Sequence, residues 1–339
     1  MKIKLINSLK KILTEFNNDP HLIYNNKTDE LWLYFRRHGS QGSKIFLKKS
    51  SNGVAWSKKQ EILSSRSNRN LLSPTIIMQE KRFLMWVVNA SMYPWGIDLR
   101  FSSDGKKWSP PIKCSIYNML DDRNIWHLNI NYNFEFEEYW GLLVLPKKRT
   151  PQTKDCLRFA KSKNGRDWRI MPFPKLYPSD SGWDEDKLYR AASKISEEER
   201  IWKIWYSAKN YKSEWHIGMT YATYKVDENG DCIWLNDFSN AKEYLSTPTY
   251  DESGQVVHPD LVYFPEGWGR DKKGNDWNYW LALTPFPNCK ESYENPSVLV
   301  SNDGVIWRAP HGLKNPVEAE PGILIVKLLR NMKTWEFPF

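Results

Sequence analysis

Cysteine is scarce in this chain and poorly spaced for chemistry: Cys114, Cys156, Cys232 and Cys289 are the only four among 339 residues, and no two form a C-x-x-C pair. That excludes a zinc ribbon, a thioredoxin-type redox motif and a disulfide scaffold, and leaves free thiols as the simplest reading. Long apolar runs are also missing. No stretch approaches the roughly 18 residues of a membrane span, and the N-terminus lacks the apolar core of about 7 to 15 residues that marks a signal peptide. The expectation is a cytoplasmic protein with no transmembrane segment. Blocks of five or six basic residues are absent too, so the net charge of +9, from 49 Lys+Arg against 40 Asp+Glu, is dispersed. Nucleic acid is therefore not an expected partner.

Aromatic residues, in contrast, are abundant: 18 Trp, 17 Tyr and 14 Phe make up 14% of the chain, which marks a folded protein with a large core. At the N-terminus Leu5, Ile6, Leu9, Ile12, Leu13 and Phe16 share one helical face, with lysines mostly outside it. Residues 1–18 read as an amphipathic segment, packed on the body or laid on a membrane surface.

Internal repetition decides the architecture. One turn recurs four times, as Ser50-Ser-Asn-Gly-Val-Ala-Trp56, Ser102-Ser-Asp-Gly-Lys-Lys-Trp108, Ser162-Lys-Asn-Gly-Arg-Asp-Trp168 and Ser301-Asn-Asp-Gly-Val-Ile-Trp307; a degraded fifth copy ends at Trp234. Asn or Asp before Gly suits the positive φ angles of a tight hairpin, and the Trp anchors the returning strand. Upstream of each turn three strand-like runs recur, the first opening at Asp19-Pro20, Ser73-Pro74, His127, Tyr189-Arg190 and His258-Pro259-Asp260. The expectation is all-β: a five-bladed propeller of four-stranded antiparallel blades over residues 19–317, the last blade supplying all four of its own strands. Residues 318–339 remain an unassigned tail, with Ile323 to Val326 a candidate closing strand.

In such a blade the starts of first strands and the loops between second and third strands share a face, whereas the repeated turns lie on the other. That shared face collects Asp19, His21, His127, Arg190, His258 and Asp260 from strand starts. The loops add Arg36, Arg37, Trp95, Lys147, Lys148, Arg149, Lys209, Lys212, Tyr293 and Glu294. Central carboxylates, a basic rim and aromatic platforms suit an anionic carbohydrate, because sugar faces stack on rings while Arg and Lys hold acidic groups. No cofactor is required. The His and Asp side chains of the channel could still hold a metal ion, although their sequence spacing does not specify one.

The repeated turn is the Asp-box pattern of sialidases, and residues of about 19 to 317 resemble in fold the five-bladed propeller glycosidases: arabinanases, xylosidases, invertases and levansucrases. The resemblance implies a glycoside hydrolase acting on an acidic, bacterial-type polysaccharide or oligosaccharide. A non-catalytic glycan-binding propeller and a sugar transferase of polysaccharide assembly are the alternatives. In those enzymes a carboxylate opening a first strand is base or nucleophile, a second Asp tunes it and a Glu from another blade is the acid. By position Asp260 takes the first role and Asp19 the second. The acid departs from the family pattern; Glu294 is the substitute and a protonated His127 the second choice. Substrate-binding roles are expected for His21, Arg36, Arg37, Trp95, Arg149, Arg190, His258 and Tyr293.

Overall fold

The computed structural model describes residues 15–319 except 80, 81, 92, 120–122 and 147–154. The N-terminal amphipathic segment up to residue 14, the Lys147-Lys148-Arg149 loop and the proposed closing strand therefore lie outside the described residues.

Five antiparallel sheets follow one another along the chain. Blade 1 consists of β1 (Phe16–Asn25), β2 (Glu30–Gly39), β3 (Gly42–Ser50) and β4 (Gln60–Ser65). Blade 2 consists of β5 (Leu72–Gln79), β6 (Arg82–Asn89), β7 (Gly96–Ser102) and β8 (Ile112–Lys113). The connection to blade 3 carries β9 (Ser115–Tyr117), which adds in parallel to the outer edge of that blade, beside β13 (Asp167–Leu176). The other strands of blade 3 are β10 (His127–Asn133), β11 (Glu138–Leu145) and β12 (Cys156–Ser162). Blade 4 is β14 (Lys187–Ser196), β15 (Ile201–Lys209), β16 (Trp215–Val226) and β17 (Cys232–Trp234). Blade 5 is β18 (Val256–Trp268), β19 (Trp277–Pro285) and β20 (Ser297–Ser301); a single antiparallel bridge, Val300 to Arg308, holds its fourth position. The first strand begins at Phe16, ahead of the expected Asp19. Among the described residues no helix is long and apolar enough to cross a membrane.

The repeated turns explain how flat blades become a ring. In all four, the serine Oγ accepts the glycine N–H at 2.8 to 2.9 Å, and the Asn or Asp Oδ1 accepts the next two N–H groups at 2.8 to 3.0 Å. This frees the glycine carbonyl, which meets an aromatic of the preceding blade. Tyr34 Oη donates to Gly105, Trp86 Nε1 to Gly165 and Trp205 Nε1 to Gly304. Gly53 closes the circle against Trp280 of blade 5: at φ +76°, a Cβ there would lie 1.9 Å from the indole. Glycine is required because the approach leaves no room for a side chain. Trp168 and Trp307 are buried behind their turns, while Trp56 and Trp108 are half-buried against the cores shared by blades 5 and 1 and by blades 1 and 2. Buried aromatics thus staple blade to blade, and the ring leaves a channel lined by β1, β5, β10, β14 and β18.

Candidate functional site in the central channel

A β-bulge interrupts the inner strand of blades 1, 2, 4 and 5, between Asn18 and His21, Leu72 and Thr75, Leu188 and Ala191, and Val257 and Asp260. In three of these bulges the residue before a proline has positive φ: Asp19 at +49°, Ser73 at +46° and His258 at +57°. A non-glycine residue in that region stores about 1–3 kcal/mol of strain. The bulge re-aims its side chain, and the result is convergence at one level of the channel. Blade 3 keeps an unbroken register and contributes His127 from the start of β10.

Asp19 is at the centre and fully buried. Its Oδ1 lies 3.4 Å from His258 Nε2, 3.5 Å from His127 Nδ1, 3.7 Å from Arg190 Nη1, and accepts from Ser73 Oγ at 3.4 Å. Its Oδ2 has no hydrogen-bond partner, and neither has His127 Nε2 or His258 Nε2. Burial alone would raise the Asp19 carboxyl, but the neighbouring His258 and His127 imidazoles and the Arg190 guanidinium hold it well below the usual carboxylate range. Burial also lowers both histidines, His258 to about 3.

Glu294 stands on the other side of His258, with Oε1 3.9 Å from His258 Nδ1, whose bonded partner is Thr284 Oγ1 at 3.0 Å. It is 3% exposed, and Oε2 is unpaired. Burial, reinforced by the charges of Asp19 and Glu291, raises its carboxyl well above the ordinary value. One imidazole therefore separates a carboxyl whose pKa is lowered from one whose pKa is raised.

Asp260 is placed quite differently. His21 Nδ1–H donates to it at 2.8 Å, the Leu22 N–H at 3.1 Å, Arg190 Nη2 at 3.0 Å and Asn129 Nδ2 at 3.4 Å, and the residue is 1% exposed. The Ile76 N–H occupies the remaining His21 nitrogen at 2.8 Å. Asp260, His21 and Arg190 form a buried brace between blades 1, 4 and 5, deeper than the mouth. Arg36, expected at the rim, is likewise 1% exposed and donates to Asn18, Ser43, Asn68 and Asn70. Both side chains were expected to touch a ligand; their distant partners, invisible in the sequence, draw them inside.

The rim itself is aromatic. Trp95 and Trp126 lie 5.2 Å apart, Tyr189 packs on His127 at 4.1 Å and on Trp215 at 5.3 Å, and Trp126 Nε1 donates to Tyr189 Oη. Arg69 stacks on Trp95. Trp126 and Trp215 are the rim residues that strand patterning did not single out; the only available signal was the position of Trp126 directly before His127. Tyr293 is half-buried, and its carbonyl accepts from Tyr250. Arg37 donates to Asn17 and lies over Phe46. Lys209 pairs with Asp186 at 2.5 Å and Lys187 with Asp155 at 3.4 Å, so acidic residues already match part of the basic rim.

No protein-family model matches the chain. A blood-group-A N-acetyl-α-D-galactosamine deacetylase of Flavonifractor plautii is 45% identical over 88 residues, covering 24% of this chain and 11% of the relative. Among solved structures, an N-acetylgalactosamine deacetylase from F. plautii in complex with blood group B trisaccharide superposes with a TM-score of 0.54 and 20% identity, over 66% of this chain and 69% of that one. An endo-arabinase from Bacteroides thetaiotaomicron does so with a TM-score of 0.56 and 12% identity, over 90% and 97%. At these identities the likeness establishes the fold, the five-bladed propeller shared with family-43 glycoside hydrolases.

Proposed function

We propose that the protein is a glycoside hydrolase whose catalytic pair is Asp19 and Glu294. The observation that carries this reading is the placement of two buried carboxyls on either side of one imidazole, at 3.4 and 3.9 Å from His258, with the surroundings lowering the pKa of Asp19 and raising that of Glu294. Glycosidic hydrolysis needs that combination: a proton donor at the leaving oxygen, and a carboxylate that activates water or attacks the anomeric carbon. Asp19, with one free oxygen, suits the role of base or nucleophile better than Asp260, whose oxygens are both occupied. Trp95, Trp126 and Tyr189 supply faces for sugar rings. His127 and His258 orient the carboxylate, and Arg190 keeps it charged.

The anionic character of the sugar is the finer part of the proposal. Its support is the net charge of +9 and the position of Lys212 in the loop between β15 and β16.

One observation favours a second reaction on the same residues. Asp19, His127 and His258 offer one ligand atom each, all within 4.8 Å of one another. One carboxylate and two imidazoles are a donor set that suits a divalent transition metal. When bound, such an ion would polarise a carbonyl and lower the pKa of water. Together with the segment similar to a deacetylase, this supports amide hydrolysis, the removal of an N-acetyl group. Mass spectrometry of products separates the readings: a glycoside hydrolase yields two shorter sugars with one water added, and a deacetylase yields an intact glycan that has lost an acetyl group. Neither product from arabino-, galacto- or N-acetylated oligosaccharides would reject both.

A further inference from the structure

The opposite end of the channel carries a cavity of about 670 Å³, walled by the hairpins that join first to second strands in blades 3, 4 and 5. It is separate from the Asp19 site. A chain of buried side chains fills the channel between them: Asn129 Nδ2 donates to Asp260, Ser193 Oγ to Asn129 Oδ1 at 2.8 Å, and Asn131 Nδ2 to Ser193 Oγ at 2.7 Å.

The cavity lining is amphipathic. Tyr263 and Tyr279 lie 4.7 Å apart, Lys194 Nζ is 5.6 Å from the Tyr263 ring, and Phe134 leaves 72% of its surface exposed at the edge. Glu197 accepts the Phe134 N–H, and Glu135 pairs with Arg200 at 3.3 Å, which fixes the blade 3 hairpin to that of blade 4. Burial lowers Lys194, which has a nearby charge in Glu197.

We propose that this cavity is a second carbohydrate-binding site, taking a short oligosaccharide by stacking on Phe134 and Tyr263 and by hydrogen bonds to Lys194, Glu197 and Asn131. The proposal rests on the reading that the protein acts on glycans. A pyranose has an apolar C–H face and a hydroxyl edge that both donates and accepts, so it requires rings beside groups of both kinds. A simple anion is disfavoured by Glu197, Glu198 and Glu199 in the same wall, and an apolar ligand by the charges. The volume lies within the range of about 300–1,000 Å³ usual for small-ligand sites. A binding site remote from catalysis holds a polymer on the enzyme and raises its effective local concentration.

The test is calorimetric titration of the full chain with blood group B trisaccharide, arabinotriose and trigalacturonate in turn. Four proteins are compared: the unmodified chain, Phe134→Ser, Phe134→Ser with Lys194→Met, and Trp95→Ala. Two sites per chain are expected for at least one sugar. The Phe134 variants should weaken one site at least tenfold while leaving the initial rate of trisaccharide cleavage unchanged, and Trp95→Ala should weaken the other. Phe134 is exposed, so its single variant should keep the native melting temperature and remains informative if the double variant misfolds. One site per chain that only Trp95→Ala disturbs would overturn this proposal and leave the hydrolase reading intact. No binding of any sugar, with no cleavage, would overturn both.

Discussion

Replacing Glu294 by Gln should make the protein more stable and less active, and the gain should grow with pH. The carboxyl is 3% exposed, faces Asp19, Glu291, Arg36, Asn18 and His258, and titrates well above its ordinary value of 4.5 in the folded state. Between that value and its folded pKa, the native state binds a proton that the unfolded chain does not. Folding stability therefore falls as pH rises through this interval, by about 1.4 kcal/mol per pH unit from this one group. Among its ionisable neighbours, Asp19 is already ionised and His258 is already neutral there, so neither adds a slope of its own. Glutamine keeps the shape, has no proton to lose and removes the slope. Urea unfolding of both proteins at pH 5, 6 and 7 should give curves that diverge in favour of the variant by about that amount per unit until the folded pKa is passed. Loss of the proton donor should lower kcat by about 10²- to 10⁴-fold at the same time. A stability difference that stays constant from pH 5 to 7, or a variant less stable than the parent at pH 7, would refute the argument that Glu294 is held protonated by burial.

Other outcomes follow from the same geometry. Gly53→Ala should destabilise by about 2–4 kcal/mol in denaturant unfolding, because it combines positive-φ strain with overlap against Trp280; Gly230→Ala, at φ +82° with nothing within 4 Å, should cost only the backbone part, and equal losses would deny the inter-blade contact. If the Asp19, His127 and His258 trio binds a metal, added Zn²⁺ or Mn²⁺ should raise the melting temperature of the full chain and a chelator should reverse it, with His258→Ala abolishing the shift. If the ligand is anionic, kcat/KM should fall as salt rises from about 0.05 to 0.5 M; an unchanged value would mean that the basic rim is solvated surface.

The fold was legible because repetition makes weak local signals support one another. A single turn of Ser-x-Asn-Gly or Ser-x-Asp-Gly means little, but four of them, each preceded by three β-like runs, fix the period of a blade. The X-Pro pairs at 19, 73 and 258 marked the bulged inner strands for the same reason. The site was legible as a face and much less so as a set of roles. Asp19 and Asp260 look alike in sequence, each a carboxylate beside a proline at a first strand. What separates them is His21, 239 residues from Asp260, and Arg190, 70 residues away, which both donate to its Oδ2 while the Leu22 N–H takes Oδ1, whereas Asp19 keeps a free oxygen. Arg36 and Arg190 show a related limit: sequence position places a guanidinium on a face but does not say whether buried carbonyls and carboxylates will draw it inward.

The measurement that bears most directly on the hydrolytic assignment is the turnover of Asp19→Asn on a glycan cleaved by the unmodified chain, with folding checked by thermal melting. The free oxygen and low pKa of Asp19 predict a loss of at least about 10³-fold in kcat with KM nearly unchanged, because the substitution removes a group that acts at the reacting atoms and little of what binds the sugar. A folded Asp19→Asn protein that turns over at the parent rate would contradict the account.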